Sequence, residues 1–432
     1  MGHCAKKREV EFSFISIKYK KGKLSSLFIC INQSVFMEEI PRHQYLAELD
    51  EWRDETDIVK VILGVRRSGK SVVMDQYRRR LVESGVSSRN ILFLNFESSE
   101  LNGIRTHADL NGYIRDNLHR DVRSYIFMDE VQRVNGWELT VNSLMVDYDA
   151  DIYITGSNAH VLSSELSTYL SGRYVEIKVL PFSFREFLEC HPVTDEYDRN
   201  GRFQQFLRTG GMPLTNPDKT DRYNSSILDG IYNTVLLKDV AERVGVKDVS
   251  NLDAIARFLF DNTGNITNID NIAKSTGLSE KTVARYIRSL TEAFLFYKVN
   301  RFDVKGKKLL NTHEKYYPAD TGLARAVLDR GVDDTSRPLE NIVFLELIRR
   351  GYRVRAGSFK DREVDFTAEK NGVLEYYQVC LTMLNDSTYE REIRSLKSID
   401  DNYPKIILSL DGVVRDVPDG LIHRNVIEWL LS

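Results

Sequence analysis

The run Gly64-Val65-Arg66-Arg67-Ser68-Gly69-Lys70-Ser71 has the spacing G-x-x-x-x-G-K-[ST], and that spacing suits the cradling of a phosphate chain. A glycine-rich turn lets backbone N–H groups approach an anion, and the next helix aims its positive end at it. Lys70 would then reach the β- and γ-phosphates, and the Ser71 hydroxyl would hold Mg²⁺. Asp129-Glu130 follows the apolar Tyr125-Ile126-Phe127-Met128. Of two acids at such a strand end, the first organises a cation and the second orients and polarises an attacking water. Ser157 and Asn158 follow another apolar run, and an amide there can bridge the γ-phosphate and that water. Arg173, just after Ser171-Gly172, has two readings: a charge offered to the nucleotide of a neighbouring subunit, or a salt-bridged surface arginine.

These residues need a scaffold that gathers strand ends at one edge. Ile58 to Leu63 is short, apolar and β-branched, as a buried strand is, and Ser71 to Ser84 carries apolar residues at helical spacing. Further strands are expected at Ile91–Phe96, Tyr125–Met128, Asp151–Thr155 and Arg173–Val179, with helices at Ala108–Arg120 and Ala159–Leu170. Alternating strands and helices imply an α/β fold, a parallel sheet wrapped by helices, with function at the carboxyl ends of the strands.

The order GVRRSGKS, YIFMDEVQ, TGSN, LSGR, VLPFSFREF resembles a large group of bacterial and archaeal AAA+ ATPases, and Ile40-Pro41-Arg42 with Tyr45-Leu46 resembles their N-terminal helix. The resemblance runs from about Met37 to the C-terminus. It implies nucleotide contacts on Gly64 to Ser71, Mg²⁺ and hydrolysis on Asp129 and Glu130, sensing on Asn158 and a finger on Arg173. ATP rather than GTP is implied by the resemblance alone.

The 432 residues allow two to four domains, and a net charge of −3 excludes a global basic footprint for nucleic acid. Cys4, Cys30, Cys190 and Cys380 lie far apart, which argues against a disulfide framework or a zinc site and for a reducing, cytoplasmic location. No apolar run is long enough to span a membrane. Residues 1–36 are basic and lack an element plan. They are expected to be a disordered or misassigned extension, with a nucleic-acid-binding arm as the other reading.

The ATPase core is placed at 37–190 and a helical lid at 191–250. A winged helix is placed at 251–335. Its three helices are Asn251–Asn262, Asp270–Lys274 and Ser279–Ala293, with Ser279 as N-cap. Lys281, Arg285 and Arg288 share one face of the third, a face that could meet DNA phosphates or simply be solvated. A β-ribbon wing is expected after Phe296, with Lys305, Lys307 and Lys308 at its tip. Residues 336–432 follow the plan of restriction-endonuclease-like domains, to which the resembled family's C-terminal domain is related. Glu340 and Asp365 match two of its acids. Gln378-Val379-Cys380 stands where glutamate and lysine are needed, so a non-cleaving relic is the expectation. The reading is an ATPase coupled to a protein partner or DNA, with a homo-oligomer following only from the finger reading of Arg173. A nucleotide-dependent nuclease and a non-hydrolysing ATP-switch scaffold are the alternatives.

Overall fold

A computed structural model describes residues 39–118, 122–156, 170, 172–245, 249–306, 308–329, 335–359 and 362–432. The expected extension 1–36, the helix after Gly156, Asn158 and Lys307 lie outside these residues.

Five strands form a parallel sheet: β1 (Val59–Leu63), β2 (Ile91–Asn95), β3 (Ser124–Asp129), β4 (Ala150–Thr155) and β5 (Tyr174–Lys178), in the order β2-β3-β4-β1-β5. β1, β3 and β4 are buried at every position, as helices on both faces require. Helices Lys70–Glu83, His107–Asn117 and Trp137–Asp147 supply the cover. Because β3, β4 and β1 are parallel neighbours, Asp129, Thr155 and Gly64 emerge at one edge.

One strand residue breaks the apolar pattern and is answered from a neighbouring strand. Lys60 is fully buried and donates to Asp151 Oδ1 at 2.6 Å and to the Glu55 carbonyl at 2.6 Å. Burial is the largest influence on both groups. It pulls the Lys60 ammonium down and pushes the Asp151 carboxyl up despite their contact.

The middle of the chain is helical. Asp221–Thr234 runs on through π-helical turns at Val235–Ala241 into Glu242–Val244. Helices Val249–Asp261, Ile269–Thr276 and Glu280–Glu292 follow, the last capped by Ser279, whose side chain accepts from the Thr282 N–H. The amphipathic pattern of this last helix buries Val283, Ile287 and Leu290, leaving Lys281, Arg285 and Arg288 exposed.

The ribbon expected as a wing forms, as β6 (Phe296–Asp303) and β7 (Lys308–Pro318), but it is not free-standing. It joins β8 (Arg353–Phe359), β9 (Arg362–Lys370), β10 (Val373–Val379), β11 (Lys405–Ser409) and β12 (Leu421–Asn425) in a seven-stranded sheet ordered β12-β11-β10-β9-β8-β6-β7. Arg301 to Asp303 of β6 run parallel to Ala356 to Ser358 of β8. The reason lies in side chains: Val299 and Tyr317 are buried against helix Ser336–Arg349, with Tyr317 stacked on Phe344 at 4.6 Å. The sheet therefore runs across the border expected at 335–336.

Thr209-Gly210-Gly211 is explained by close approach. A Cβ on Gly210, whose φ is 71°, would lie 2.1 Å from Asp320 Oδ1, and one on Gly211 would lie 2.3 Å from the Phe182 carbonyl. The Asp320 carboxylate accepts from Gly211 N–H at 2.6 Å and Leu323 N–H at 3.0 Å. This ties the end of helix Glu196–Thr209 to helix Thr321–Leu328.

Candidate nucleotide site

The loop between β1 and helix Lys70–Glu83 turns at Gly64, where a Cβ would lie 2.2 Å from the Val179 carbonyl. Only glycine fits there, since Val179 is held on Leu63 O at 2.7 Å. Arg67 has a φ of 68° and Gly69 of 101°, the left-handed steps that turn consecutive N–H groups inward. Within this turn Lys70 Nζ donates to the carbonyls of Gly64 and Val65 at 3.0 and 3.2 Å. The ammonium is buried and has no ion pair with a carboxylate among the described residues. Burial lowers its pKa, against the pull of Glu130, Asp239 and Asp129. Ser68, fully buried in the same turn, keeps an Oγ without a hydrogen-bond partner. A buried cation and an orphan hydroxyl in a turn that begins at Gly64 and ends at Gly69 fit a polyphosphate anion.

Beside the loop, Ser71 Oγ donates to Asp129 Oδ1 at 3.0 Å, and Thr155 Oγ1 donates to the same oxygen. A hydroxyl facing a carboxylate is an oxygen donor set suited to a small hard cation that keeps several waters. Glu130 has φ 56° and ψ 45°, a left-handed backbone that a non-glycine residue adopts at some cost. Its N–H is held by Thr155 Oγ1 at 2.9 Å, and its carboxylate accepts from Gln132 Nε2 at 2.6 Å. Thr155 and Gln132 were not singled out from the sequence. The legible signal for Thr155 was a hydroxyl ending the strand next to the acids.

Two arginines tie the loop to its surroundings, one from within it and one from outside. Arg66 grips Asp239, on the π-helical turn of Val235–Ala241, with Nε and Nη2 at 3.0 and 2.9 Å. Arg42 is 1% exposed and its guanidinium donates to Glu186 Oε1 at 2.7 Å, Ser68 O at 3.0 Å and Leu180 O at 2.7 Å. Glu186 also faces Arg349 of helix Ser336–Arg349 at 3.9 Å. Burial pushes the Glu186 carboxyl up, but Arg42, Arg349 and the Ser183 donors outweigh it, and the net direction is down.

Arg173 is not brought into this chain's own site. It precedes β5 and its carbonyl accepts from Val59 N–H at the start of β1, the opposite edge of the sheet from Gly64. A five-residue strand separates the two edges by about 17 Å. Its side chain donates to Leu170 O at 3.4 Å and Asn142 Oδ1 at 3.3 Å.

The C-terminal residues form a second cluster, with one member that the sequence reading missed. Tyr317 Oη donates to Glu340 Oε1 at 2.5 Å, Val379 N–H to Asp365 Oδ2 at 2.7 Å, and Asp365 N–H to Gln378 Oε1 at 3.4 Å. Cys380 is a buried thiol pushed further up by burial and acidic neighbours, so it stays neutral. An ammonium is nonetheless present. Lys315 of β7, 4% exposed, pairs with Glu363, and although burial lowers its pKa, Glu340, Glu363 and Asp365 raise it further. The absence of an ammonium expected from Cys380 is thus corrected: β7 supplies one across the sheet. Among the described residues no group of three or more His, Cys, Asp or Glu side chains is arranged to hold a metal ion.

A phosphate loop at the head of a five-stranded parallel sheet, with acids at the end of β3 and with β4 lying between that strand and β1, defines a nucleotide-binding, ATPase-like protein of the AAA type. A family profile described as an AAA domain matches residues 56–188, and one described as a domain of unknown function (DUF8612) matches residues 200–334. An uncharacterized protein of Haemophilus influenzae is 40% identical over 91% of this chain and 99% of its own length. An uncharacterized protein of Methanocaldococcus jannaschii is 30% identical over 82% of this chain and 80% of its own. The chain belongs to the family of AAA-domain proteins that includes these two relatives. Among solved structures, the replication initiator DnaA bound to AMPPCP and single-stranded DNA aligns at 14% identity with a TM-score of 0.26, covering 58% of this chain and 87% of that one. No helix among the described residues is long and apolar enough to cross a membrane.

Proposed function

We propose that the protein hydrolyses ATP with Mg²⁺ and uses the cycle to move its middle helices and so act on a partner. The observation that carries this reading is the buried Lys70 ammonium, which donates to the loop carbonyls of Gly64 and Val65 and has no carboxylate ion pair among the described residues. Such a cation binds the β- and γ-phosphates with little competition from carboxylates. Ser71 and Asp129 would hold Mg²⁺, which supplies charge neutralisation on the phosphate oxygens. Glu130, braced by Gln132 and Thr155, orients the attacking water. Arg66 and Asp239 make the loop and the π-helical turn one unit, so phosphates that draw Arg66 release that turn. Arg173 would serve a second copy of the chain. The exposed Lys281, Arg285 and Arg288 offer a face for phosphate groups of DNA, and the partner protein is left to the assay. Glu130→Gln tests the reading: ATP turnover falls about 10²- to 10⁴-fold while ATP binding persists. Unchanged turnover refutes it and favours the non-hydrolysing scaffold.

A second reading, a nucleotide-dependent nuclease, draws support from Lys315 beside Glu340 and Asp365. Cleavage of DNA that is lost in both Lys315→Met and Asp365→Asn would favour it. No cleavage under any nucleotide condition would remove it.

A further inference from the structure

Arg349 ends helix Ser336–Arg349, far along the chain from the phosphate loop, and its side chain is 7% exposed. Its guanidinium donates to Tyr45 Oη at 3.0 Å, to the Pro181 carbonyl at 2.9 Å and to Glu346 Oε2 at 3.2 Å, and it faces Glu186 Oε2 at 3.9 Å. Glu346 belongs to the same helix. The remaining partners belong to the supports of the phosphate loop.

Each of them touches what shapes that loop. Glu186 accepts from Arg42 at 2.7 Å, and Arg42 in turn donates to Ser68 O at 3.0 Å. Tyr45 Oη also accepts from Leu180 N–H at 3.0 Å, and the Arg42 guanidinium lies over the Tyr45 ring at 4.9 Å. Leu180 O is a further acceptor for Arg42, and the neighbouring Val179 carbonyl is the group that leaves no room for a Cβ on Gly64. Pro181 continues that segment. Arg349 thus holds, at one remove, both the carboxylate that orients Arg42 and the backbone that Gly64 abuts. A guanidinium suits the task, because its planar fork reaches Tyr45 and Pro181 at once while its charge faces Glu186. A loop that binds through N–H groups already turned inward loses affinity when its supports loosen.

We infer that Arg349 is a positioning residue of the nucleotide site, supplied by the C-terminal part of the chain and acting through Glu186, Tyr45 and residues 179–181. The inference rests on the nucleotide-binding reading above. It makes ATP affinity depend on the docking of helix Ser336–Arg349, and by linkage bound ATP favours that docking to the same degree.

The test is calorimetric binding of AMPPCP, a non-hydrolysable ATP analogue, with Mg²⁺ to the full chain and its variants. Arg349→Met should weaken binding about tenfold, and Arg349→Lys, which keeps the charge but not the fork, about threefold. Arg350→Met is the control. Arg350 is next in the chain, but it donates to Glu346 Oε1 at 2.8 Å and Trp429 O at 2.6 Å, away from the loop's supports. Its loss should lower stability in urea and leave affinity unchanged. In an Arg42→Met background the effect of Arg349→Met should shrink below about threefold, because the route through Arg42 is already cut. Tyr45→Phe removes one hydroxyl and keeps the ring; it should weaken binding about threefold, and it decides the matter if Arg349→Met does not fold. A wild-type chain that binds no AMPPCP refutes the nucleotide reading, and this inference with it. Wild-type binding with a folded Arg349→Met or Tyr45→Phe unchanged, equal weakening by Arg350→Met, or a full tenfold loss in both backgrounds overturns the role of Arg349 alone.

Discussion

Replacing Arg42 by methionine probes how the phosphate loop is held. Methionine keeps most of the aliphatic stem, so the loss falls on the guanidinium. Three hydrogen bonds vanish, at 2.7, 3.0 and 2.7 Å. Ser68 O and Leu180 O each lose a buried donor, which costs about 1–3 kcal/mol apiece when nothing replaces it. Glu186 loses its closest cation, and breaking a buried pair costs about 3–5 kcal/mol. These terms overlap, and Glu186 keeps Arg349 at 3.9 Å and Ser183 N–H at 2.8 Å. The expected destabilisation is therefore about 4 kcal/mol, not the sum. Arg42→Lys should lose about half as much, since an ammonium keeps the charge but not the fork. Urea unfolding is the assay, with the midpoint shifted and the slope preserved. Adding Glu186→Gln should harm the methionine variant less than the wild type, because the carboxylate it removes is already poorly paired. ATP affinity should also fall, since Ser68 O is one of the guanidinium's anchors. A loss below about 1 kcal/mol, or equal effects of Glu186→Gln in both backgrounds, would refute the reasoning.

Three other outcomes follow from the same geometry. Lys60→Met should cost about 3–5 kcal/mol by leaving Asp151 buried and unpaired, and adding Asp151→Asn should restore part of it; equal stability of single and double variants in urea contradicts this. Burial raises the Asp320 carboxyl to about 6 from 3.8, over the opposing backbone donors. A raised folded pKa gives stability that is complete below the unfolded pKa and lost as pH rises through the folded one. Between pH 4 and 7 the stability gap between wild type and Asp320→Asn should move towards the variant by about 2 kcal/mol, and a gap constant with pH contradicts the assignment. Asp239→Asn removes an anion near Lys70 and frees Arg66, so ATP should bind about tenfold more tightly by calorimetry; weaker binding would show the latch to be supportive instead.

Much of the nucleotide site was legible in the sequence. The phosphate loop, its strand and helix, and the Asp129-Glu130 pair are local patterns, and each element formed within a few residues of its expected bounds. Local spacing could not reveal that Arg42 reaches Glu186, 144 residues away, or that Lys60 is answered by Asp151. Nor could it disclose that Lys315 of β7 lies under the influence of Glu340, Glu363 and Asp365. The reason for the tandem glycines at 210 and 211, the Asp320 carboxylate and the Phe182 carbonyl, is likewise distant in the chain.

The sequence by itself determined the chemistry at Gly64 to Ser71. A glycine-rich turn flanked by a buried strand and a helix binds phosphate through its own backbone, and the information sits in consecutive residues. Tertiary structure alone decided what grips that loop, through Arg42 and Asp239, and which strand completes the C-terminal sheet. Those outcomes depend on buried charges finding partners across the fold and on apolar strand faces finding cover. Neither leaves a trace in the spacing of neighbouring residues.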